Sequence, residues 1–323
     1  MANQSPFTVV LTGASSGIGR ATALAFAREG ASLVLAARDR DALESVAQSC
    51  QRAGASALAV PTDVTEPDQM LALADSAIET FGGIDVWINN VGTGAVGRFD
   101  EVPLKAHRRV IEANLLGHLY GSHVALRHFR QRGRGVLINM VSVGGWAATP
   151  YAASYAASKF ALRGFSESLR AELSDMPGIA VCEVYPTFVD TPGLTHAANY
   201  SGRRLRPTLP MLDPRDVAAA LVALARRPRP STMLGSVAWP ARLAHMVTPD
   251  LSARVARRLM DAGFRRAHPA AMTDGNLFAP STGHRIDGGL PPQGRRLETL
   301  LKWGMAAMAG FALWRAVSRG DGR

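Results

Sequence analysis

"FTVVLTGASSGIGRATALAFAREG", residues 7–30, joins a continuous apolar run to a glycine-rich turn and then to a helix-forming stretch. Gly13, Gly17 and Gly19 allow a tight turn there and let the main chain approach a ligand without interference from a Cβ. The helix that follows begins with free N–H groups and the positive end of its dipole facing the loop, a natural seat for a pyrophosphate. Glycines alone would say little. Strand, loop and helix in this order, at the head of an α/β alternation, point to a bound dinucleotide.

Outward from that stretch the alternation continues to about residue 190. Apolar runs "ASLVLAA", "SALAVPTDV", "IDVWINN", "GVLINMVS" and "IAVCEVYP" read as strands, with helices expected at 18–29, 39–53, 67–81, 103–131 and 155–174. Continuous apolar strands separated by helices indicate a parallel sheet covered on both faces. Right-handed crossovers make it doubly wound, with ligands at the carboxyl ends of its strands. The expected fold is therefore α/β, a doubly wound, mostly parallel Rossmann-type sheet in a single domain spanning 1–262. Past Pro192 the rhythm changes: 192–212 reads as a long loop, with a helix at 214–226, a strand near 233–239 and a basic helix at 249–262. Residues 263–295 read as an irregular linker and 296–323 as a C-terminal apolar or amphipathic helix.

The 323 residues suffice for a buried core. Residues 1–200 carry 16 basic and 18 acidic side chains, residues 201–323 carry 20 and 8, so the net charge of +10 lies in the last third. The arginines are scattered and no nucleic-acid motif accompanies them, so nucleic acid is not expected as a partner. Cys50 and Cys182 have no metal-ligand spacing, so neither a disulfide framework nor a metal site is expected. The start lacks the pattern of a secretory signal, and a reducing cytosol is the expected location.

"YAASYAASK" (151–159) places Tyr155 four residues before Lys159, on one face of a helix. An ammonium beside a phenol favours the phenolate and brings a tyrosine toward neutral-pH acid/base work. T-G-x-x-x-G-x-G at 12–19, "NNVG" at 89–92, Asn114, Ser142 and Y-x-x-x-K at 155–159 together resemble the short-chain dehydrogenase/reductase family over roughly residues 5–240.

The resemblance implies a nicotinamide cofactor. Gly13, Ser15, Ser16, Gly17, Ile18 and Gly19 would form the phosphate loop, and Asn90 would lie beside it. A carboxylate usually holds the adenosine ribose at the end of the second strand. Here Ala37 and Arg38 stand instead, which favours NADP(H) over NAD(H), since an arginine grips a 2′-phosphate. Ser16 stands where NADP-using relatives often carry a second basic residue. Asp63 and Val64 would meet the adenine, although Asp63 reads almost equally as a helix cap. Pro186, Val189 and Thr191 match positions around the carboxamide, with Thr187 replacing the family's usual glycine.

By the same resemblance Tyr155 is the general acid and base, and Ser142 holds the substrate oxygen. Lys159 steadies the tyrosinate and binds the nicotinamide ribose, and Asn114 holds a water for a proton relay to Lys159. Tyr151 matches no catalytic position and reads as packing or pocket lining. Residues 192–212 would form a substrate lid. Val143, Trp146, Phe188 and Leu194 suggest a small hydrophobic carbonyl or alcohol as substrate, and Arg203, Arg204 and Arg206 read as a solvated basic loop or an anion grip. The apolar stretch within 297–317 is too short to span a bilayer and reads as protein packing or as weak membrane-surface contact. A homo-oligomer is expected. The rivals to an NADP(H)-dependent reductase are a non-catalytic NADP(H)-binding regulator and a membrane-surface enzyme of lipids or steroids.

Overall fold

The computed structural model describes residues 7–205 and 211–289. Strand β1 (Thr8–Thr12) and helix α1 (Gly17–Arg28) are followed by β2 (Ser32–Ala37), α2 (Arg40–Arg52), β3 (Ala57–Pro61), α3 (Pro67–Phe81) and β4 (Val86–Asn89). The two-residue strand β5 (Ala95–Val96) precedes α4 (Leu104–Ile111), a π-helical turn (Glu112–Leu116) and α5 (Gly117–Arg132). Next come β6 (Gly135–Met140), a 3-10 turn (Val143–Gly145), α6 (Ala153–Glu172) and β7 (Ile179–Pro186). The remainder holds α7 (Gly193–His196), β8 (Ala198–Asn199), α8 (Pro214–Arg226), β9 (Ser231–Leu234), α9 (Ala238–Val247) and α10 (Pro249–Arg266).

Seven strands form one sheet in the order β3-β2-β1-β4-β6-β7-β9, every neighbouring pair parallel. All residues of β1 and β2 are buried, as a strand covered on both faces must be. On one face Phe26 of α1, Val46 of α2 and Leu221 of α8 pack onto Leu33 and Leu35. On the other, Met70 of α3 and Phe129 of α5 pack onto Trp87 and Leu137. The strand order reverses between β1 and β4, which opens a crevice at their carboxyl ends.

Asn89 fastens the layers at that reversal. Its Nδ2 donates to Ser122 Oγ (3.1 Å), Asn139 Oδ1 (3.0 Å) and the His118 carbonyl (3.2 Å), while its Oδ1 accepts from the Trp87 indole (2.8 Å). Of the two asparagines in "NNVG", the first is thus a buried brace.

Four expectations need correction. The helix expected over 103–131 is interrupted by the π turn, which takes one extra residue around Asn114. The strand expected near 233–239 lies at Ser231–Leu234, because Gly235 (φ +102°) turns the chain into α9, a helix the pattern did not show. The basic helix runs on to Arg266. Residues 267–289 hold no helix, yet they return across the sheet's crevice. Arg206 and the stretch 296–323 lie outside the described residues.

Candidate active site

The phosphate loop follows from close packing. A Cβ on Gly19 would lie 2.0 Å from the Gly13 carbonyl oxygen, so no side chain fits where α1 crosses the loop. Gly17 stands at φ +54°, a conformation glycine adopts without strain. Asn90, the second asparagine of the pair, braces the loop. Its N–H donates to Thr12 Oγ1 (3.0 Å) and its Nδ2 to the carbonyls of Thr12 (3.1 Å) and Gly13 (3.3 Å). Gly13, Ser15, Ser16, Gly17, Ile18 and Gly19 line one cleft together with Arg38, Asp63, Val64, Asn90 and Thr191. Pro186 ends β7, and Val189 is buried in a bridge to Leu212, outside the lining.

At the far end of the cleft Ala37 closes β2 and no carboxylate replaces it. Asp63 is engaged by its neighbours: Oδ1 accepts from the Thr65 N–H (3.0 Å) and Oγ1 (2.8 Å), Oδ2 from Arg109 (2.6 Å). Burial raises its pKa, but these bonds outweigh burial and hold the carboxyl below its ordinary range. Helix α3 starts at Pro67 with Glu66 at its N-cap, so Asp63 is not the cap of that helix. Arg109, which also lines the cleft, was not expected. It sits on α4 next to Arg108, with nothing in the pattern to single it out.

Beyond the phosphate loop, α6 carries Tyr155 and Lys159. A Cβ on Gly94 would approach Tyr155 Cδ2 to 3.8 Å, and one on Gly92, a cleft residue, would approach Lys159 Nζ to 3.7 Å. A Cβ on Gly144 would lie 3.2 Å from Tyr155 Cε1 and 3.7 Å from Ser142 Oγ, so the two side chains share one corner. Ser142 Oγ accepts from the Gly144 N–H (3.2 Å), and the Ser142 backbone is held at φ 134°, rare for a non-glycine residue.

The ammonium does not depress the phenol as expected. Burial pushes Tyr155 above its ordinary pKa, against the pull of the nearby Ser142 hydroxyl. Burial also brings Lys159 down to about 7, and its Nζ donates to the Met140 carbonyl (2.8 Å), 5.9 Å from the Tyr155 ring centre. Asn114 accepts from the Thr93 N–H (2.8 Å) and donates to the Thr93 carbonyl (2.8 Å) and Ser158 Oγ (3.1 Å), so its bonds run there rather than to Lys159. Behind them His118 is buried and neutral, pushed down to about 3 by burial and by the Lys159 charge.

Tyr151 faces away from this group. Its hydroxyl donates to Asp261 and its ring meets Phe264 edge-on, which ties the segment leading into α6 to α10. Trp146 is clasped between the guanidinium groups of Arg163 and Arg242, each 3.7 Å from the ring centre. Val143 lies in the 3-10 turn, Leu194 in α7, and Phe188 is 38% exposed. Arg203 donates to the Ala267 carbonyl, and the Arg204 N–H to that of His268 (2.8 Å), pairing the expected lid with the returning chain. Among the described residues no His, Cys, Asp and Glu cluster could hold a metal, and no helix is long and apolar enough to cross a membrane.

A doubly wound sheet with this loop at its reversal and a Tyr/Lys pair beside it is the construction of an oxidoreductase. The family profile described as short chain dehydrogenase matches residues 7–200, and the chain belongs to the short-chain dehydrogenase/reductase family. It is 34% identical over 255 residues to the oxidoreductase YxnA of Bacillus subtilis (strain 168), covering 78% of this chain and 72% of that one. It is 36% identical over 220 residues to the oxidoreductase SA2266 of Staphylococcus aureus (strain N315), covering 68% and 91%. Among solved structures, an alcohol dehydrogenase of the archaeon Thermococcus sibiricus complexed with 5-hydroxy-NADP shares 29% identity and a TM-score of 0.62, covering 71% of this chain and 95% of that one. A variant of actinorhodin polyketide ketoreductase with NADPH shares 29% and a TM-score of 0.66, covering 72% and 97%.

Proposed function

We propose that the protein is an NADP(H)-dependent carbonyl reductase, an alcohol dehydrogenase in reverse. The observation that carries this reading is Tyr155 and Lys159 one turn apart on α6, beside Gly92 of a cleft that Arg38 also lines and where β2 ends in Ala37 rather than a carboxylate. The glycine cradle fits a dinucleotide: at Gly19 a Cβ would fill the space the loop needs, and Gly17, Ile18 and Gly19 at the start of α1 line the cleft. When bound, NADP(H) supplies or accepts the hydride.

The chain's own residues do the rest. Ser142 holds the substrate oxygen, and Tyr155 gives it a proton in reduction and removes one in oxidation. Lys159, near pKa 7, exchanges protons at neutral pH and replenishes the phenol. Asn114 positions the Thr93 backbone that walls the cleft beside Lys159. Arg38 would take the 2′-phosphate, Asp63 and Val64 would border the adenine, and Thr191 would meet the carboxamide, with Pro186 and Val189 behind the cleft's lining. Val143, Phe188 and Leu194 favour a small hydrophobic carbonyl compound. The relatives solved with NADPH and 5-hydroxy-NADP support the cofactor choice.

A panel of ketones, aldehydes and 3-oxoacyl thioesters, followed by NADPH absorbance, tests the reading. Turnover with NADPH is the expected result, and turnover with NADH alone would remove the Arg38 assignment. A purely regulatory binder would turn over none of them. A membrane-surface enzyme of lipid-like carbonyls is favoured by one feature: Trp239, Leu243 and Met246 stand exposed at helical spacing on α9. Cosedimentation of the full chain with anionic vesicles distinguishes that case.

A further inference from the structure

The returning segment 273–288, beyond the matched family region, crosses the cleft as a strap and binds its anion-reading groups. Arg38 donates through its guanidinium to the carbonyls of Asn276 (2.6 Å), Leu277 (3.2 Å) and Ala279 (3.2 Å). The Gly17 N–H, at the start of α1, donates to the Arg285 carbonyl (2.9 Å), and Arg20 to that of His284 (2.6 Å). Thr93 Oγ1 donates to Asn276 Oδ1 (2.7 Å), and Arg109 Nε to the Leu277 carbonyl (3.0 Å). Groups suited to phosphate oxygens are thus occupied by the partial negative charge of peptide carbonyls.

The space that remains agrees. The cavity left beside the strap measures about 220 Å3. Drug-sized ligands fill about 300–1,000 Å3, and a dinucleotide is larger than most of them. The strap is fastened at its two ends, away from the loop. The Asp274 carboxylate meets Lys105 and the Tyr200 hydroxyl, and Asp287 receives two bonds from Arg215 (2.6 and 2.9 Å). Between these pins its hold on the phosphate-reading groups is polar, His284 meets Asp39 (3.0 Å), and Leu277 alone is sunk in an apolar cluster with Val102, Val110 and Tyr200.

We propose that the strap is an intramolecular competitor for the cofactor, its carbonyls standing in for the 2′-phosphate and pyrophosphate until the dinucleotide displaces them. The inference rests on the nicotinamide-cofactor reading above. A ligand that binds only the open state has its apparent affinity reduced by the fraction of chains that are open. Loosening a pin therefore tightens NADPH and NADH by one common factor. Arg38 is a special case, because it both reads the phosphate and holds the strap. Its removal should weaken NADPH relative to NADH, while NADH itself binds tighter than to the unaltered chain.

The test measures NADPH and NADH affinities by nicotinamide fluorescence, with hydrogen exchange over 273–288, on the full chain, Asp287→Ala and Arg38→Ala. Expected are a rise of up to about fivefold in affinity for both cofactors in Asp287→Ala, tighter NADH in Arg38→Ala, and faster exchange in the strap when NADPH saturates the unaltered chain. Slower exchange on binding, with weaker binding by Asp287→Ala, would show a wall that clasps the cofactor and overturn the inference while leaving the proposed function in place. Unchanged affinities in both variants overturn it as well. A chain and variants that bind neither cofactor overturn both readings together.

Discussion

The region before residue 190 and the strap at 273–288 are held in place by different forces. The first is an apolar sandwich: fully buried strands between two helical layers, with one buried asparagine network at the centre. The strap is held to the first largely by arginines reaching main-chain carbonyls and by the exposed Lys105–Asp274 pair, with Leu277 as an apolar anchor, and Arg215–Asp287 ties it to α8. Apolar burial and satisfied interior bonds are lost only when the whole domain opens, whereas exposed ion pairs each contribute about 1 kcal/mol or less. The wrap can loosen while the sheet stays intact. Residues that hold parts in place lie in both regions; the proposed chemistry lies in the first.

Substitutions should separate the two. The largest effect is expected at Tyr155→Phe, which keeps the packing and removes the proton donor. Carbonyl reduction should fall by about a thousandfold or more, with NADPH affinity and melting temperature nearly unchanged, as steady-state rates and fluorescence titration would show. Asn89→Ala should cost about 2–4 kcal/mol in urea unfolding, because it leaves buried partners on β4, α5 and β6 unsatisfied; a loss near zero would erase the contrast with the wrap.

Next in size is the pH dependence of Lys159. Its folded pKa of about 7 lies below the ordinary 10.5. Between those values the unfolded chain binds the extra proton, so stability rises with pH through that window and is lost as pH falls toward 7. Relative to Lys159→Met, the unaltered chain should gain about 2 kcal/mol between about pH 7 and about pH 9. The smallest effect belongs to Tyr151→Phe, which frees the Asp261 contact of α10. We expect less than about 1 kcal/mol and a rate within about twofold, and a loss as large as that of Tyr155→Phe would move the chemistry to the other tyrosine.

The sheet and the glycine loop were legible because both are written in local pattern: apolar runs of strand length, and glycines where no Cβ can go. Tyr155 and Lys159 were legible through helical spacing, but the titration of their side chains was not. It depends on burial and on the Met140 carbonyl, neither of which spacing encodes. The strap escaped for a related reason. Its acceptors are peptide carbonyls, which every residue carries, and Arg38 meets them across more than two hundred positions of chain. Arg109 was hidden because only the fold brings α4 beside Asp63.

The π turn at Glu112–Leu116 carries a consequence for insertion and deletion. One residue of an α-helix subtends about 100°. Removing a single position from that turn would let α4 and α5 run on as one regular rod, and it would swing α4 about its axis by roughly that angle. Arg109 would then point elsewhere than Asp63, and Asn114 would lose its grip on Thr93. Length, as much as residue identity, is fixed at this point of the chain.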